Sequence, residues 1–592
     1  MQKNKQKNAK IPFLYFLLII GFLIFLSTLL YWAQIDRRLP RLYAKDVNIA
    51  LRGSIISKNG YTIARSKKLY KAVVDTRNIN PNKREMFVKL YSLYSGENTK
   101  SIKKSINSYF GTVVLSYKID AISAQRLREL ARKLYRLGVF VSYEDKKNGI
   151  TFLHGLNIVE SGEYRVYNYK DTLTPIIGYV RKYEKNRITK IYGVKGLEKE
   201  YNNILNPAQD GMIKGSKDIA GNIILNGDSE IITRVDGANL HLNISLKFQK
   251  IVENILDKYK KELQAKEIIA SVMDSYTGKI LMLASSNRYN PSKILKNQYQ
   301  NLNVTAVEFA YEPGSVLKPV IFSLLLEKKL VNPYDLVRIY GGKYKIGRKI
   351  IRDSHTFDWL SAEDVIVHSS NVGISQLAQK LKYIEYYNGL KKFGFTKKSG
   401  VDLPYEHKGV MPRPYQLKSE IYKAVTAYGY GIEANFMQLL KIYNIFNNNG
   451  RAISPRIVDY YQDAYGRKYY KNAKKYTQVI PVDVAKRMQK ILVKTVQKGT
   501  ATAAKIGGLQ IGGKTGTSHI AKNGKYTNLY NSSFFGFAND EKHHYTIGVL
   551  VRKPQKKYYY YASLTAVPVF KSIIEEMIEE GYLLPKDTVK TQ

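Results

Sequence analysis

The chain has 592 residues, 44% of them hydrophobic, which allows two or three domains with full cores. A formal net charge of +47 would suit nucleic acid, anionic lipid or another acidic polymer as partner. However, the lysines are spread along the whole chain, and no zinc-finger spacing, RNP-type aromatic run or discrete basic helix occurs, so we predict no nucleic-acid partner. Without cysteine there is no disulfide or thiol chemistry, and the eight histidines form no ligand motif, so no metal site and no cofactor are predicted.

The N-terminal residues have the pattern of a membrane anchor. Residues 1–10 are polar and contain four lysines, whereas residues 11–33 contain no charge and end near Tyr31-Trp32. About 20 apolar residues span a bilayer, and aromatic side chains suit its interface. A cleaved signal peptide is the alternative, but the run is long for one and no small-residue cleavage site precedes Asp36. We therefore predict a cytoplasmic tail over 1–10 and one uncleaved transmembrane anchor over 11–33.

Residues 34–238 have the pattern of a separate module. Short apolar runs alternate with charged segments of helical character such as Ser123–Leu137, and this predicts an α+β or strand-rich domain. The apolar runs are residues 72–74, 138–141 and 174–180. No glycine-rich phosphate loop or paired acidic motif indicates a second active site.

The pattern changes near Asn239, and we predict a further domain over 239–586, followed by a C-terminal tail over 587–592. An amphipathic helix near 248–263 precedes a hairpin formed by 268–273 and 279–284, and helices dominate from Val316 to about Leu381. Near the end, three neighbouring antiparallel strands precede a last helix; these elements are 508–514, 533–538, 545–551 and 567–577. Strands at both ends with helices between them predict one sheet closed by pairing of the two ends.

Ser315 and Lys318 have the spacing of a serine nucleophile and its base. Pro313-Gly314 predicts a turn, after which apolar residues recur at helical spacing, so both side chains lie on one face of a buried helix. A serine hydroxyl needs a base to become nucleophilic, and an amine lies within reach. By itself the pattern is weak, because Ser101 and Lys104 repeat it in a polar stretch. An ordinary N-cap serine is the alternative.

Two further elements follow in order. Ser369-Ser370-Asn371 lies between two helical segments, and Lys514-Thr515-Gly516-Thr517 ends a strand-like run that begins at a Gly-Gly pair. Taken singly, each element has an ordinary structural explanation. The first would be a turn that caps a helix, and the second an exposed lysine at the end of a strand.

Together, the three elements resemble the motif set of serine β-lactamases and penicillin-binding proteins. The flanking residues are similar to a class B penicillin-binding protein of the septal, FtsI-type branch; they are Tyr-Glu-Pro-Gly-Ser-Val-Leu-Lys-Pro, His-Ser-Ser-Asn-Val-Gly, Ala427-Tyr-Gly-Tyr-Gly431 and Gly-Gly-Lys-Thr-Gly-Thr-Ser518. In the first module, Arg52-Gly-Ser-Ile-Ile and Gly193-x-x-Gly196-Leu-Glu198 resemble that family's pedestal motifs. The chain departs from the family at Ser57-Lys58, where Asp-Arg is usual, and at Asn435-Phe-Met-Gln438, where Thr-Pro-x-Gln is usual.

The resemblance implies a fold and a set of roles. The fold is α+β: a β-lactamase-like transpeptidase domain with an antiparallel sheet and helices, after a transmembrane helix and an elongated, strand-rich pedestal of the PBP dimerisation type. Ser315 would be the nucleophile and Lys318 its base, with a pKa lowered by burial beside the second cation Lys514. The remaining roles would be proton relay (Ser369), donor orientation (Asn371), carboxylate binding (Lys514, Thr515, Gly516 and Thr517) and an oxyanion hole from the N–H groups of Ser315 and Thr517.

The resemblance also implies partners and a location. Peptidoglycan stem peptides and β-lactams would bind the cleft, one helix would hold the chain in the inner membrane, and the catalytic domain would be periplasmic. A SEDS-type glycan polymerase and divisome proteins would be partners, because the chain has no glycosyltransferase motif. The alternatives are a D,D-carboxypeptidase or β-lactamase, which pass the acyl group to water, and a non-catalytic β-lactam sensor or scaffold.

Overall fold

The computed structural model describes residues 3–34, 43–145, 150–185, 188–216, 223–471 and 476–586. It divides into two compact units, one of Met1–Asn48 with Gly211–Arg234 and one of Ile49–Asp210 with Val235–Gln592. The predicted C-terminal tail, 587–592, lies outside the described residues. The predicted domain limits at 33/34 and 238/239 remain predictions.

Helices α1–α6 and strands β1–β12 lie between residues 3 and 242. The helices are Lys3–Gln34 (α1), Arg84–Ser95 (α2), Thr99–Asn107 (α3), Ala121–Arg136 (α4), Gly196–Glu200 (α5) and Asn202–Leu205 (α6). The strands are Tyr43–Asn48 (β1), Ile55–Ile56 (β2), Thr62–Asp75 (β3), Thr112–Ile119 (β4), Tyr143–Asp145 (β5), Ile150–Phe152 (β6), Asn157–Tyr167 (β7), Val180–Lys185 (β8), Ile188–Gly193 (β9), Gly211–Ser216 (β10), Glu230–Ile232 (β11) and Asn239–Leu242 (β12).

Helices α7–α16 and strands β13–β27 follow. The helices are Leu246–Glu262 (α7), Thr305–Glu308 (α8), Lys318–Glu327 (α9), Ala362–Val367 (α10), Asn371–Gln379 (α11), Tyr383–Phe393 (α12), Glu420–Ala427 (α13), Phe436–Asn447 (α14), Val482–Gln497 (α15) and Ala566–Glu579 (α16). The strands are Glu267–Asp274 (β13), Ile280–Ser285 (β14), Ala310–Tyr311 (β15), Leu336–Arg338 (β16), Lys343–Ile346 (β17), Lys349–Arg352 (β18), Trp359–Ser361 (β19), Ala434–Asn435 (β20), Arg451–Ala452 (β21), Val458–Gln462 (β22), Lys468–Tyr470 (β23), Thr477–Gln478 (β24), Gln510–Lys522 (β25), Lys525–Asn539 (β26) and His544–Arg552 (β27).

The smaller unit contains the apolar helix and a short sheet. Within α1, the segment Ile11–Gln34 has a mean hydropathy of 2.7, and in the described part of the chain it alone is long and apolar enough to cross a membrane. At 1.5 Å per residue its 24 residues exceed the roughly 30 Å of a bilayer's hydrocarbon core. Strands β1, β10 and β11 pair antiparallel in that order.

The larger unit begins with a second sheet, in the order β23-β22-β12-β2-β3-β7-β9-β8, with β4 also paired to β3. Helix α4 confirms the helix predicted near Ser123–Leu137, and its buried leucines pack in a core with α2, α3 and the sheet. The run 72–74 lies in β3, whereas the runs 138–141 and 174–180 lie mostly outside strands: Phe140 makes one isolated β-bridge with Ile79, and Val180 begins β8. Gly138 has φ +60°, and Pro175 has no N–H to donate to a neighbouring strand, so both runs form loops whose central apolar side chains are buried.

Two pedestal motifs meet in a buried ion network. The guanidinium of Arg52 donates to Glu198 Oε2 at 2.8 Å, and that of Arg165 donates to Glu198 Oε1 at 2.7 Å. All three side chains are almost completely excluded from solvent. Burial alone would raise the pKa of Glu198, but the charges and hydrogen bonds of the two arginines outweigh it and hold that pKa below its usual value.

Ser57 and Asn59 hold the turn at the departure Ser57-Lys58 with hydrogen bonds of their own. Ser57 Oγ donates to Asn59 Oδ1 at 2.7 Å and accepts the N–H of Tyr61 at 3.1 Å. Asn59 Oδ1 also accepts the N–H of Leu246, the first residue of α7, at 3.1 Å. The turn therefore connects the pedestal to the helix that opens the next domain without the family's usual Asp-Arg pair.

The C-terminal sheet has the order β14-β13-β27-β26-β25, with all neighbours antiparallel. Because β13 comes early and β27 late in the domain, the predicted closure of one sheet by its two ends is confirmed. Helices α7 and α16 cover one face, where their apolar residues pack with Phe534 and Val549. The other face packs against α9, α14 and α15 in the largest core. Strand β25 is an edge of this sheet.

Two expectations about this domain need correction. Helices do not fill 316–381, because β16–β19 form two small antiparallel pairs between α9 and α10, with glycines of positive φ at their turns. The Lys-Thr-Gly segment does not end a strand, because β25 continues to Lys522. It continues because Asn523-Gly524, both with positive φ, make a tight turn into β26.

We predict that Glu198→Gln destabilises the folded protein by about 3–5 kcal/mol, because it leaves two buried arginines without a counter-charge. Since the folded-state pKa of Glu198 is lowered, its contribution is present above the pKa of the unfolded chain and is lost as pH falls through the folded value. Urea unfolding at pH 7 and pH 4 measures both effects. Glu200→Gln, an exposed residue of the same turn, is the matched control, and equal stability of the two variants would contradict the prediction.

Candidate active site

Ser315 lies in a single 3-10 turn, Gly314–Leu317, that leads directly into α9. Ser315 therefore precedes α9 by one short turn, whereas the sequence predicted it inside the first turn of that helix. Gly314 N–H donates to Gly429 O at 3.1 Å. A Cβ at Gly429 would lie 2.0 Å from Gly314 O, so the Tyr-Gly-Tyr-Gly segment approaches the serine turn as only glycine permits.

Lys318 is the first residue of α9 and is completely buried. Its Nζ donates to Ser369 O at 2.5 Å and to Ser369 Oγ at 3.2 Å. Ser369 occupies the turn between α10 and α11, as predicted, with φ +60°. A left-handed conformation is unusual for serine, and here it presents both oxygens of the residue to one amine.

Burial lowers the pKa of Lys318 to about 7, and the charge of Asp353 opposes that shift. The neutral, proton-accepting form of this amine is therefore accessible near neutral pH. The pKa of Lys514 is lowered well below its usual value, first by burial and then by the charge of Lys318. Burial is thus the main cause of the lowered pKa of Lys318, as of Lys514, and the second buried cation was expected beside it.

Asp353 holds the Ser-Ser-Asn turn. Its Oδ2 accepts from Ser370 Oγ at 2.5 Å, and its Oδ1 accepts the N–H groups of Asn371 at 2.5 Å and Val372 at 3.0 Å. Ser370 Oγ in turn accepts the N–H of Gly373 at 2.8 Å and caps α11. The amide of Asn371 donates to Arg352 O at 2.9 Å, which fixes that side chain at the rim.

Thr515 and Thr517 project from the edge strand β25. Their spacing of two residues places both side chains on one face of the strand. Thr515 Oγ1 lies 2.8 Å from Thr500 Oγ1, and Thr517 Oγ1 accepts the N–H of Ala562 at 3.1 Å. Lys514 is buried on the other face, with Nζ 3.3 Å from both Thr515 O and Thr515 Oγ1.

These segments form a cleft of about 530 Å³. Five of the predicted site residues line it: Ser315, Ser369, Asn371, Thr515 and Thr517. Lys318 and Lys514 lie buried beneath it. Gly516 is also beneath the surface, where a Cβ would come within 2.8 Å of Val316 Cγ1 and 2.9 Å of Pro313 O. The roles assigned to these residues remain proposals.

Comparison with known proteins agrees with this geometry. Residues 268–575, more than half of the chain, match the penicillin binding protein transpeptidase domain, and residues 47–242 match the penicillin-binding protein dimerisation domain. The chain belongs to the class B penicillin-binding proteins. The N-terminal apolar helix fits the membrane anchor expected of this family.

The chain is similar to proteins named for this activity. It is 26% identical to the peptidoglycan D,D-transpeptidase FtsI of Buchnera aphidicola subsp. Baizongia pistaciae, over 98% of this chain and 97% of the relative. It is 28% identical to the probable peptidoglycan D,D-transpeptidase PenA of Neisseria flavescens, over 64% of this chain and 92% of the relative.

Solved structures of this family share the fold. Penicillin binding protein 2X of Streptococcus thermophilus superposes with a TM-score of 0.74 at 19% identity, over 92% of this chain and 83% of that one. Penicillin binding protein 3 of Mycobacterium tuberculosis superposes with a TM-score of 0.65 at 21% identity, over 91% of this chain and 98% of that one, in a complex with aztreonam. These likenesses concern the fold.

Several residues of the cleft were not identified from the sequence. They are Asp353, Ser354, His355, Phe357, His368, Thr500, His519, Tyr530, Tyr560, Tyr561 and Ser563. None belongs to a spaced motif, and most lie on turns whose position depends on the tertiary fold. His368 and His519 each lie next to a recognised motif, and this position is the feature of the sequence that could have identified them as site residues.

We predict that Asp353→Asn shifts the acidic limb of the pH profile for acylation to lower pH. The Asp353 charge raises the pKa of Lys318, so its removal leaves more of the amine neutral at a given pH. The maximal rate should fall by about tenfold, because the turn loses charge-assisted hydrogen bonds of roughly 1.5 kcal/mol. Stopped-flow acylation by a chromogenic cephalosporin between pH 5 and 9 measures both quantities.

The exposed Asp358, in the same segment, provides the control as Asp358→Asn. A profile for Asp353→Asn that kept the wild-type midpoint, or moved to higher pH, would contradict the assigned electrostatic link.

Proposed function

We propose that this protein is a peptidoglycan D,D-transpeptidase that cross-links stem peptides through an acyl-enzyme on Ser315 during septal wall synthesis. One observation carries the proposal. A fully buried amine, Lys318, with a pKa near 7, lies between the serine turn and Ser369 at the floor of a cleft whose far wall is an open sheet edge. This arrangement supplies a base, a relay and a peptide-binding edge together.

Acylation follows from these positions. The donor stem would add to β25 as an extra strand, with its terminal carboxylate at Thr515 and Thr517 over Lys514. Neutral Lys318 takes the proton of Ser315 Oγ as the oxygen attacks the carbonyl of the penultimate D-Ala. The N–H groups of Ser315 and Thr517 stabilise the oxyanion, and Ser369 passes a proton to the departing amine. The C–N bond breaks, D-Ala leaves, and an ester remains.

Deacylation completes the cross-link. An amine from a second stem attacks the ester carbonyl, its proton returns through the same Lys318–Ser369 pair, and Ser315 Oγ is released with its hydrogen. A β-lactam presents a strained amide next to a carboxylate, so it enters the same cleft and acylates Ser315. Its bulky remainder stays on the serine and blocks the second stem.

Two alternatives differ in what happens to the acyl group or in whether it forms. A D,D-carboxypeptidase or a β-lactamase would use the same residues but release the acyl group to water. A non-catalytic sensor would stop at the acylated serine, and a scaffold would not need a base of lowered pKa beside the serine at all. The nearly complete overlap with an FtsI relative favours the transpeptidase.

We predict that fluorescent penicillin labels the wild-type protein covalently and that Ser315→Ala abolishes the labelling. Ser101→Ala is the matched control, since Ser101 and Lys104 have the same spacing and are both exposed on α3, and its labelling should equal that of the wild type. Benzylpenicillin should then remain bound for many minutes. Labelling of Ser315→Ala would refute the nucleophile, and rapid release of penicilloate would favour a hydrolase.

The location and partners belong to the same proposal. The helix Ile11–Gln34 would anchor the chain in the inner membrane with its N-terminal tail in the cytoplasm and its catalytic domain in the periplasm, where the stem peptides are. A SEDS-type glycan polymerase and other divisome proteins would be its partners at the septum. The support for a separate polymerase is that the two matched domains are a transpeptidase domain and a dimerisation domain, and cross-linking needs glycan strands made by another activity.

The absence of cysteine makes the orientation directly testable. We predict that Lys542→Cys, on an exposed turn of the catalytic domain, reacts with a membrane-impermeant maleimide in spheroplasts. Asn4→Cys, in the N-terminal tail, should react only after lysis, and the cysteine-free wild type is the control for background. The opposite labelling pattern would overturn the proposed orientation while leaving the chemistry untouched.

A further inference from the structure

His519 lies on the wall of the cleft, and the proposed mechanism does not use it. It follows Thr515 and Thr517 at two-residue spacing on β25, so the three side chains lie on one face of the edge strand. All three line the cleft together with Ser315. At about 3.3 Å per residue, His519 is roughly 7 Å beyond Thr517, away from Lys514.

The surroundings of His519 fix its ring. Its Nδ1 lies 2.9 Å from the carbonyl oxygen of Thr527, and its backbone N–H donates to the hydroxyl of Tyr430 at 3.2 Å. The ring packs against Tyr530 with centroids 4.5 Å apart, and Tyr530 stacks on Tyr560 at 4.7 Å. The imidazole is therefore held in place by contacts on several sides.

These contacts also determine which nitrogen can meet a ligand. A carbonyl oxygen can only accept, so Nδ1 of His519 carries the hydrogen that points at Thr527. In the neutral ring, Nε2 is then a hydrogen-bond acceptor. Within the described parts of the chain, no hydrogen bond is made to this Nε2. His519 thus offers one positioned lone pair at the wall of the cleft.

The direction of the bound donor tells which group would meet this nitrogen. With the terminal carboxylate at Thr515 and Thr517, a strand antiparallel to β25 runs from the 519 end toward the 514 end. The residue that precedes the two D-alanines therefore lies next to His519. A stem peptide that acts as acceptor attacks through an amine. The residue that precedes the two D-alanines can carry this amine on its side chain.

The charge of the cleft agrees with an ammonium ligand. Although the chain contains 95 lysines and arginines, none of the described residues that line the cleft is one. The acidic lining residue, Asp353, already accepts three hydrogen bonds from the 370–372 turn. An amine at the 519 end would therefore face an acceptor nitrogen and tyrosine rings.

We propose that Nε2 of His519 forms a specificity subsite that binds the side-chain ammonium of the donor residue preceding D-Ala-D-Ala. This inference rests on the proposed function, because it uses the donor orientation given there. The subsite would favour the acylation of Ser315 by stems whose side-chain amine is still free. It would disfavour stems in which that amine has already been consumed in a cross-link.

A matched pair of penicillins tests the subsite. Both carry a linear 6-acylamino side chain of equal length, one ending in a primary amine and the other in a methyl group. The measured quantity is the ratio of their second-order rates of acylation of Ser315 in the full-length protein. A hydrogen bond to a charged group contributes roughly 1.5 kcal/mol, so the wild-type ratio should be about tenfold in favour of the amine.

His519→Phe keeps a ring against Tyr530 but removes the acceptor, and it should bring the ratio close to one. His519→Gln, which keeps an acceptor oxygen, should retain part of the preference. His355→Phe makes the same change at an exposed histidine elsewhere in the cleft lining and should leave the ratio unchanged. A purely structural role for His519 would slow both penicillins equally.

A wild-type protein without preference for the amine would overturn the subsite whatever the variants do. An equal loss of preference in His355→Phe would overturn the assignment to His519. In both cases the two penicillins would still acylate Ser315, so the proposed transpeptidase would stand. Failure of both penicillins to acylate the wild type would instead refute the proposed function.

Discussion

The site depends on the burial of one amine. Lys318 has no exposed surface, and its contacts are the carbonyl and hydroxyl oxygens of Ser369 rather than a carboxylate. Because an ammonium is costly to bury without a counter-charge, the group lowers its pKa toward 7 and becomes available as a base. Most other lysines in the described part of the chain are partly or fully exposed and keep water around the ammonium, whereas Lys318 and Lys514 are fully buried.

That burial is a product of long-range packing. The nucleophile turn contacts Gly429 on one side and Gly516 on the other, and at both glycines a Cβ would collide with this turn. The edge strand that carries Gly516 is held by β26 and β27, and β27 is paired with β13 from the start of the domain. Closing the sheet from both ends of the domain thus places three distant segments around one side chain.

The sequence predicted the parts that local patterns encode. Amphipathic periodicity located α4, α7 and α16, and the three motifs indicated which segments meet, because each motif is a short run with a fixed internal geometry. Contacts across the fold could not be predicted in this way. Asp353 supports the Ser-Ser-Asn turn from 17 to 19 residues upstream, in a region expected to be helical, and no local pattern marks such a partner. The apolar runs 138–141 and 174–180 lie mostly in loops for a related reason: apolar composition predicts burial, and their central side chains are buried, but a buried loop and a buried strand have the same composition.

Two buried charge clusters show why pairing decides what a buried charge does. In the pedestal, two arginines share the carboxylate of Glu198, so the pKa of that carboxyl is lowered and the cluster fixes the two motifs to each other. Under the cleft, the hydrogen bonds that the described residues offer Lys318 and Lys514 come from neutral oxygens of Ser369 and Thr515, so burial lowers both pKa values and the charge of Asp353 only partly opposes the shift at Lys318. A carboxylate placed beside Lys318 would repeat the pedestal arrangement, return the amine to its charged form and remove the base. The same cost of desolvation therefore has two outcomes. It gives a fixed ion network in the pedestal, where a counter-charge is in contact, and a proton acceptor under the cleft, where none is in contact.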